Sequence, residues 1–195
     1  MNLFKKLFST PKEKVTEEPS SELHNLPLEE IFVENFIKNN GKFLYCTTLQ
    51  EVISNLNNIV QENSWETINC NDNDLLKLMK SLNIKSTEKL SNQFPTFLSC
   101  EHLIAENGSI LFSSNQLKEH KIAELSEHFI VYATTSQLVK TKGESLTGIK
   151  TRYQGNIPSN ISAIKNYTLN SKDDDFLNYG NTNSKNLYLL LFEDL

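Results

Sequence analysis

The residues most able to do chemistry lie in the stretch 100–116, CEHLIAENGSILFSSNQ. Two apolar runs flank Glu106-Asn107-Gly108, with Ser109 opening the second run. Asn-Gly between apolar runs is a strong short hairpin signal, and a type I′ turn needs positive φ, which glycine supplies at Gly108. Two readings of Glu106 follow. It is either an ordinary polar residue beside a turn, or a carboxylate held rigidly at a hairpin tip where the adjacent glycine admits a substrate. A nucleophile or acid–base group needs that exposure.

Other chemistry-bearing residues are few. Thr134 closes the apolar run HFIVYAT and Thr135 and Ser136 follow it, where a strand ends and a helix starts. Ligands of open α/β sheets gather at such ends and helix N–H groups attract anions there, although plain N-capping explains the same residues. Arg152 is the one arginine beside eighteen lysines. Its planar fork grips a carboxylate as ammonium cannot, so a carboxylate of a ligand and one of the protein, such as Glu106, are both candidate partners, beside the plain reading of a surface residue. Pro158 and Ser159 follow in the same connection. Asp173-Asp174-Asp175 point in different directions along a chain and read as a solvated loop.

Metal and cofactor chemistry finds little support. Cys46, Cys70 and Cys100 are widely spaced, and His24, His102, His120 and His128 form no HxxxH or HExxH pattern. Structural zinc and iron–sulfur ligation within this chain are not expected. With no GxGxxG either, no cofactor is expected. Net charge is −5 and the pI about 5.4, with no basic cluster for nucleic acid. No apolar run approaches the roughly 20 residues of a membrane-spanning helix. The start MNLFKKLFSTPKEK lacks the apolar stretch of about 7–15 residues of a secretion signal. Its Leu3, Phe4, Leu7 and Phe8 could line one face of a short helix, read as a docking or frayed terminus or as a membrane-surface anchor. Free thiols and no signal point to the cytoplasm.

The elements that must position these groups follow from periodicity. Residues 1–26 read as a flexible tail and 27–195 as one α/β domain. LPLEEIFVENFIKNNG predicts a helix with Pro27 in its first turn, an apolar face of Ile31, Phe32, Phe36 and Ile37, and Gly41 closing it. KFLYC is a strand; the helix after it has Thr47 or Thr48 as cap and Leu49, Val52, Ile53, Leu56, Ile59 and Val60 at helical spacing. WETINC is a strand and DNDLLKLMKSL a helix. Residues 83–97 read as a connection. The hairpin, the strand HFIVYAT, a helix over TSQLVKTKGESLTGIKTRY broken near Gly143, an extended NIPSNISAIKNYTL, a polar loop and a buried strand LYLLLFEDL complete the chain. Strand–helix alternation implies parallel strands, here joined by an antiparallel hairpin in a mixed sheet flanked by helices.

LIAENGSILFSS, HFIVYATTSQLV, GNIPSNISAIK and YGNTNSKNLYLLLFED resemble, in order, the marks of the LUD domain, the lactate-utilisation domain typified by the C-type subunit of the L-lactate oxidation system. Glu106, Gly108 and Ser109 match its acid-Thr-Gly hairpin with Asn107 in place of Thr; Pro158 and Ser159 match its Gly-Pro-Ser segment with Ile157 in place of Gly. The acidic pair expected next falls on Ala163 and Lys165, and the late turn keeps only Gly180. The resemblance implies a short, divergent member with a fold similar to the ribose-phosphate isomerase, glucosamine-phosphate deaminase and CoA-transferase group. It further implies a role in oxidation of L-lactate to pyruvate beside iron–sulfur oxidoreductase subunits, as an accessory or small-anion-binding subunit. The alternative is a CoA-transferase-like or sugar-phosphate isomerase-like enzyme using Glu106, because AENG is similar to a Ser-Glu-Asn-Gly nucleophile motif of that group.

Overall fold

A computed structural model describes residues 26–169 and 183–194. The tail to residue 25, the Asp173–Asp175 run and Gly180 lie outside the described residues.

The first helix, α1 (Leu28–Lys38), begins after Pro27, which stands just before the first turn rather than within it. It buries Phe32, Val33 and Phe36, a face rotated from the one expected, since Ile37 is 46% exposed. Asn40 takes the left-handed conformation at the helix end (φ 66°), and Gly41 N–H donates to Phe36 O at 2.9 Å. Gly41 is needed because a Cβ there would strike the Phe36 ring.

Strand β1 (Lys42–Cys46) leads into α2 (Leu49–Glu62), whose cap is Thr48: its side chain accepts Glu51 N–H. Strand β2 (Thr67–Asn69) and α3 (Asn73–Met79) follow, the helix capped by Asp72. The segment expected to be a plain connection contains β3 (Lys85–Thr87) and the start of β4 (Thr96–Leu98). Its strands are too short for alternation to show. Next come β5 (His102–Ile104), β6 (Ser109–Phe112), α4 (Ser114–Leu117) and β7 (His128–Thr134). A 3₁₀ turn (Thr135–Gln137), β8 (Leu138–Val139) and α5 (Lys142–Arg152) replace the long broken helix. Gly143 is in the first turn of α5, so the interruption precedes it. Strands β9 (Ser162–Ile164) and β10 (Asn186–Phe192) end the described chain.

The architecture is α/β, with parallel and antiparallel strands flanked by helices. Six strands form a parallel sheet in the order β1-β10-β7-β4-β2-β3. The antiparallel pairs belong to a second sheet, β8-β5-β6-β9, in which β5 pairs antiparallel with β6 and β6 with β9. Period-2 alternation distributes side chains over both faces. Phe129, Val131, Leu187, Leu189 and Leu191 pack with α1 and with Leu103, Ile110 and Phe112 of the second sheet. Ile130, Tyr188 and Leu190 pack under α2 and α3. Helix α5 covers the outer face of the second sheet through Ile149, on Ile104 and Leu111. Among the described residues no helix is long and apolar enough to cross a membrane.

Candidate functional site

The opening hairpin is present but differs from a two-residue type I′ turn. Four residues, Ala105–Gly108, link β5 to β6, whose closing pair is Ile104 with Ser109. Gly108 has φ +65°, while Asn107 is not in the left-handed region. Asn107 Oδ1 accepts the Ser109 N–H at 3.0 Å, a side-chain turn in place of a second positive φ. Helix α1 closes over the tip. Asn35 Nδ2 donates to Ala105 O and Asn39 Nδ2 to Asn107 O, both at 2.9 Å, and Tyr167 OH donates to Gly108 O at 2.7 Å. A Cβ on Gly108 would run into the backbone of Asn35 and Phe36. The close approach that glycine permits is therefore made by α1, and Gly108 and Ser109 are buried.

Glu106 is exposed, and its Oε1 accepts the Lys142 N–H at 3.0 Å. The carboxylate thus satisfies one of the open donors at the start of α5 and sits at the positive end of the helix. Glu106 is not the partner of Arg152, which lies at the other end of α5, roughly 16 Å away for 11 residues at 1.5 Å each.

Arg152 instead meets Glu101, with Nη1 3.9 Å from Oε2. Glu101 follows β4 at the carboxyl edge of the parallel sheet and is 1% exposed. Its Oε1 accepts Ser113 Oγ (2.6 Å), Asn115 Nδ2 (2.8 Å) and Gln116 Nε2 (3.2 Å); its Oε2 accepts Tyr153 OH (3.0 Å). Burial pushes this carboxyl up, but those four hydrogen bonds outweigh it and hold the group below the ordinary carboxylate range. It is a buried, ionised acid. The guanidinium beside it is half exposed and keeps donors open to solvent.

His102 adjoins it, 6% exposed. Its Nδ1 lies 3.3 Å from Gln137 O, which places the ring proton on Nδ1 and leaves Nε2 an acceptor. That Nε2 has no hydrogen-bond partner among the described residues. It faces Gly148 of α5, where an added Cβ would meet it at 3.0 Å. Burial, ahead of the nearby Arg152 charge, pushes its pKa down, so the ring is neutral at pH 7.

Thr134, Thr135 and Ser136 stand at the end of β7 as expected, and they already hold a carboxylate. Asp194, just beyond β10, accepts Thr135 Oγ1 (2.7 Å) and the Ser136 N–H (3.0 Å) on Oδ1, and Ser136 Oγ (2.6 Å) on Oδ2. Its slight burial pushes its pKa up, but these hydrogen bonds prevail and bring it down to about 2. Gln137 joins this turn to the buried acid: Oε1 accepts the Thr134 N–H at 2.8 Å, and Nε2 donates to Cys100 O at 2.6 Å.

Of the residues singled out in the sequence, the structure gathers Thr134, Thr135, Ser136 and Arg152 along one edge of the parallel sheet. Ser159 adjoins this edge through its carbonyl, which accepts Ser114 N–H at 2.8 Å beside Ser113; Pro158 is buried next to it. Glu106, Asn107, Gly108 and Ser109 stand apart at the hairpin. Sequence reasoning missed Glu101, His102, Gln137, Tyr153 and Asp194. The single arginine was the available signal, and only the fold identifies its partner. The three cysteines are free and buried, and burial raises all three thiols, Cys70 to about 11. Among the described residues no group of three or more His, Cys, Asp or Glu could hold a metal ion.

No family model matches the sequence, and no curated protein matches it. Among solved structures, the chain is similar to a DUF162 family protein from Deinococcus radiodurans, with a TM-score of 0.61 at 11% identity over 90% of this chain and 99% of that one. DUF162 is the LUD domain family. At that identity the likeness is one of fold.

Proposed function

We propose that this chain is a LUD-type protein that binds a small carboxylate at the carboxyl edge of its parallel sheet. In this reading it serves as an accessory subunit in L-lactate oxidation, beside subunits that carry iron–sulfur clusters. One observation carries the proposal: the turn after β7 offers the Thr135 and Ser136 hydroxyls and the Ser136 N–H to a carboxylate, and Asp194 occupies them. These donors suit any carboxylate of the same geometry; they are already aimed at an anion, so an incoming carboxylate has only to displace Asp194. Arg152, with open donors on the same edge, adds attraction for anions. The fold likeness and the order of the sequence motifs support the family; the lactate role rests on the resemblance.

Asp194 competes with an external carboxylate for the same donors, so its removal frees them. Calorimetric titration of the wild-type chain and Asp194→Ala with L-lactate, pyruvate and acetate tests this. The expected result is at least tenfold tighter carboxylate binding by Asp194→Ala, about 1.4 kcal/mol, lost again when Ser136→Ala is added. No binding of any of the three acids by either protein would overturn the proposal. Co-purification of the chain with cluster-bearing subunits tests the accessory role separately.

A further inference from the structure

Helix α5 lies on an ionisable group that it leaves half unpaired. His102 and Ile104 are two apart in β5 and share the outer face of the second sheet, the face that α5 covers. Imidazole Nδ1 is 3.3 Å from Gln137 O, while Nε2 is buried and has no hydrogen-bond partner among the described residues. The helix stands against that nitrogen: a Cβ on Gly148 would lie 3.0 Å from Nε2 and 3.3 Å from Cε1. A neutral ring fits this place at the cost of one unpaired acceptor. A proton on Nε2 would set a charged donor against helix backbone with no acceptor to meet it.

The surroundings divide into groups that α5 brings and groups that stay. Burial is the strongest influence on the ring and lowers its pKa; Arg152 of α5 adds to this, while Gln137 O and Glu101 oppose it. The other charged side chains of α5, Lys142, Glu144 and Lys150, are exposed. Burial raises both the Cys100 thiol and the Tyr153 hydroxyl, which stay neutral, and Leu111, paired with His102 on β6, carries no charge. Lifting α5 would therefore uncover Nε2 and remove the Arg152 charge, and would leave Glu101 beside the ring.

Few contacts oppose such a movement. The apolar seat of α5 is centred on Ile149. At its finish, Arg152 Nη1 is 3.9 Å from Glu101 Oε2 and Tyr153 OH donates to the same oxygen at 3.0 Å. Glu101 does not depend on them alone, because Ser113, Asn115 and Gln116 all donate to its Oε1.

We propose that α5 is a proton-released cover: when His102 takes up a proton on Nε2, the helix lifts from the second sheet and water solvates the imidazolium beside Glu101. The lifted helix takes Arg152 off the carboxyl edge, but the release itself needs only α5 and His102 and stands whether or not that edge binds a carboxylate.

An isolated helix of 11 residues is marginal in water, so the amides of a lifted α5 exchange with solvent. The experiment measures deuterium exchange of the full chain at pH 7.5 and pH 5.5, corrected for intrinsic rates, in peptides covering residues 145–153 and, for reference, β7 and β10. Protection of 145–153 should fall by about fivefold to tenfold at the lower pH, ten being the limit for one proton on an open-state imidazole of ordinary pKa 6.5. The reference strands should not change. His102→Gln cannot take up the proton and should show equal protection of α5 at both pH values. That variant retains His128, and Glu101 is held below the ordinary carboxylate range, so neither accounts for a difference between the two proteins. By the same linkage, Ile149→Ser loosens α5 and should bring the His102 pKa, read from its ring proton resonances, closer to 6.5 than in the wild type. Unchanged protection of 145–153 in the wild type, an equal fall in His102→Gln, or an equal fall in β7 and β10 would overturn the proposal.

Discussion

Glu106 and Gly108 stand two residues apart at one hairpin tip, yet their neighbourhoods give them opposite sensitivities. Gly108 combines a positive φ with a helix backbone pressed against its Cα. Alanine there adds both conformational strain and overpacking, so Gly108→Ala should cost about 2 kcal/mol or more, read as a lowered urea midpoint with unchanged slope. Glu106 is exposed and accepts one N–H at the start of α5. Glutamine retains an acceptor oxygen and loses only the helix-end charge, so Glu106→Gln should cost under about 1 kcal/mol in the same melts. Equal losses in the two variants would show that α1 does not rest on the hairpin. Glu101 is the sensitive acid. Replacing it by alanine leaves Ser113, Asn115, Gln116 and Tyr153 without their shared acceptor, and unsatisfied buried polar groups cost about 1–3 kcal/mol each where water cannot replace the partner.

Helix α5 shows how an element takes its place from a few contacts. Its apolar contribution to the outer face of the second sheet is small, centred on Ile149. Polar attachments hold its two ends: Glu106 on Lys142 N–H at the start, and Arg152 and Tyr153 on Glu101 at the finish. Between them Gly148 faces the unpartnered His102 Nε2. Glycine inside a helix is worth about 1 kcal/mol less than alanine, so Gly148→Ala should stabilise wherever space allows. Here the imidazole opposes it. A double-mutant cycle with His102→Ala should therefore show positive coupling of about 0.5 kcal/mol or more: little gain from Gly148→Ala alone, and a clear gain once the ring is gone. Additive effects in thermal melts would mean that the ring and the helix do not press on each other.

At the scale of the whole molecule, pH should erode stability in two stages. His102 and His128 both have folded pKa values below the ordinary 6.5, so the unfolded chain takes up these protons first. Their contribution is full above pH 6.5 and is lost as pH falls through that value toward their folded values. Glu101 and Asp194 are depressed below their ordinary 4.5 and 3.8, Asp194 to about 2. Their contribution is full above pH 4.5 and is lost as pH falls toward 2. Urea midpoints measured from pH 8 to pH 3 should decline first between 7 and 5, a step reduced in His102→Ala, and again below 4.5, a step reduced in Glu101→Gln. A flat profile from 8 to 5 would contradict the neutral buried imidazoles.

Local pattern carried much of the architecture. Alternating and helical apolar spacing placed β1, α2, β7 and β10, Thr48 and Asn107-Gly108 marked a cap and a turn, and the order of elements implied an α/β fold with parallel strands and one antiparallel hairpin. These features depend on neighbours within a few residues, which a sequence displays directly. Tertiary structure decided the rest. Which face α1 buries depends on the sheet beneath it. That Gly108 makes room for α1, that Arg152 meets Glu101 and not Glu106, and that Asp194 fills the turn at Thr135 and Ser136 depend on residues up to 73 positions apart in the chain, the separation of Asn35 and Gly108. Hydrogen bonds and ion pairs act over a few ångströms, and sequence separation says nothing of which distant carboxylate comes within that range. The fold was therefore legible in periodicity, while the composition of the candidate site emerged only when the sheet edge brought its members together.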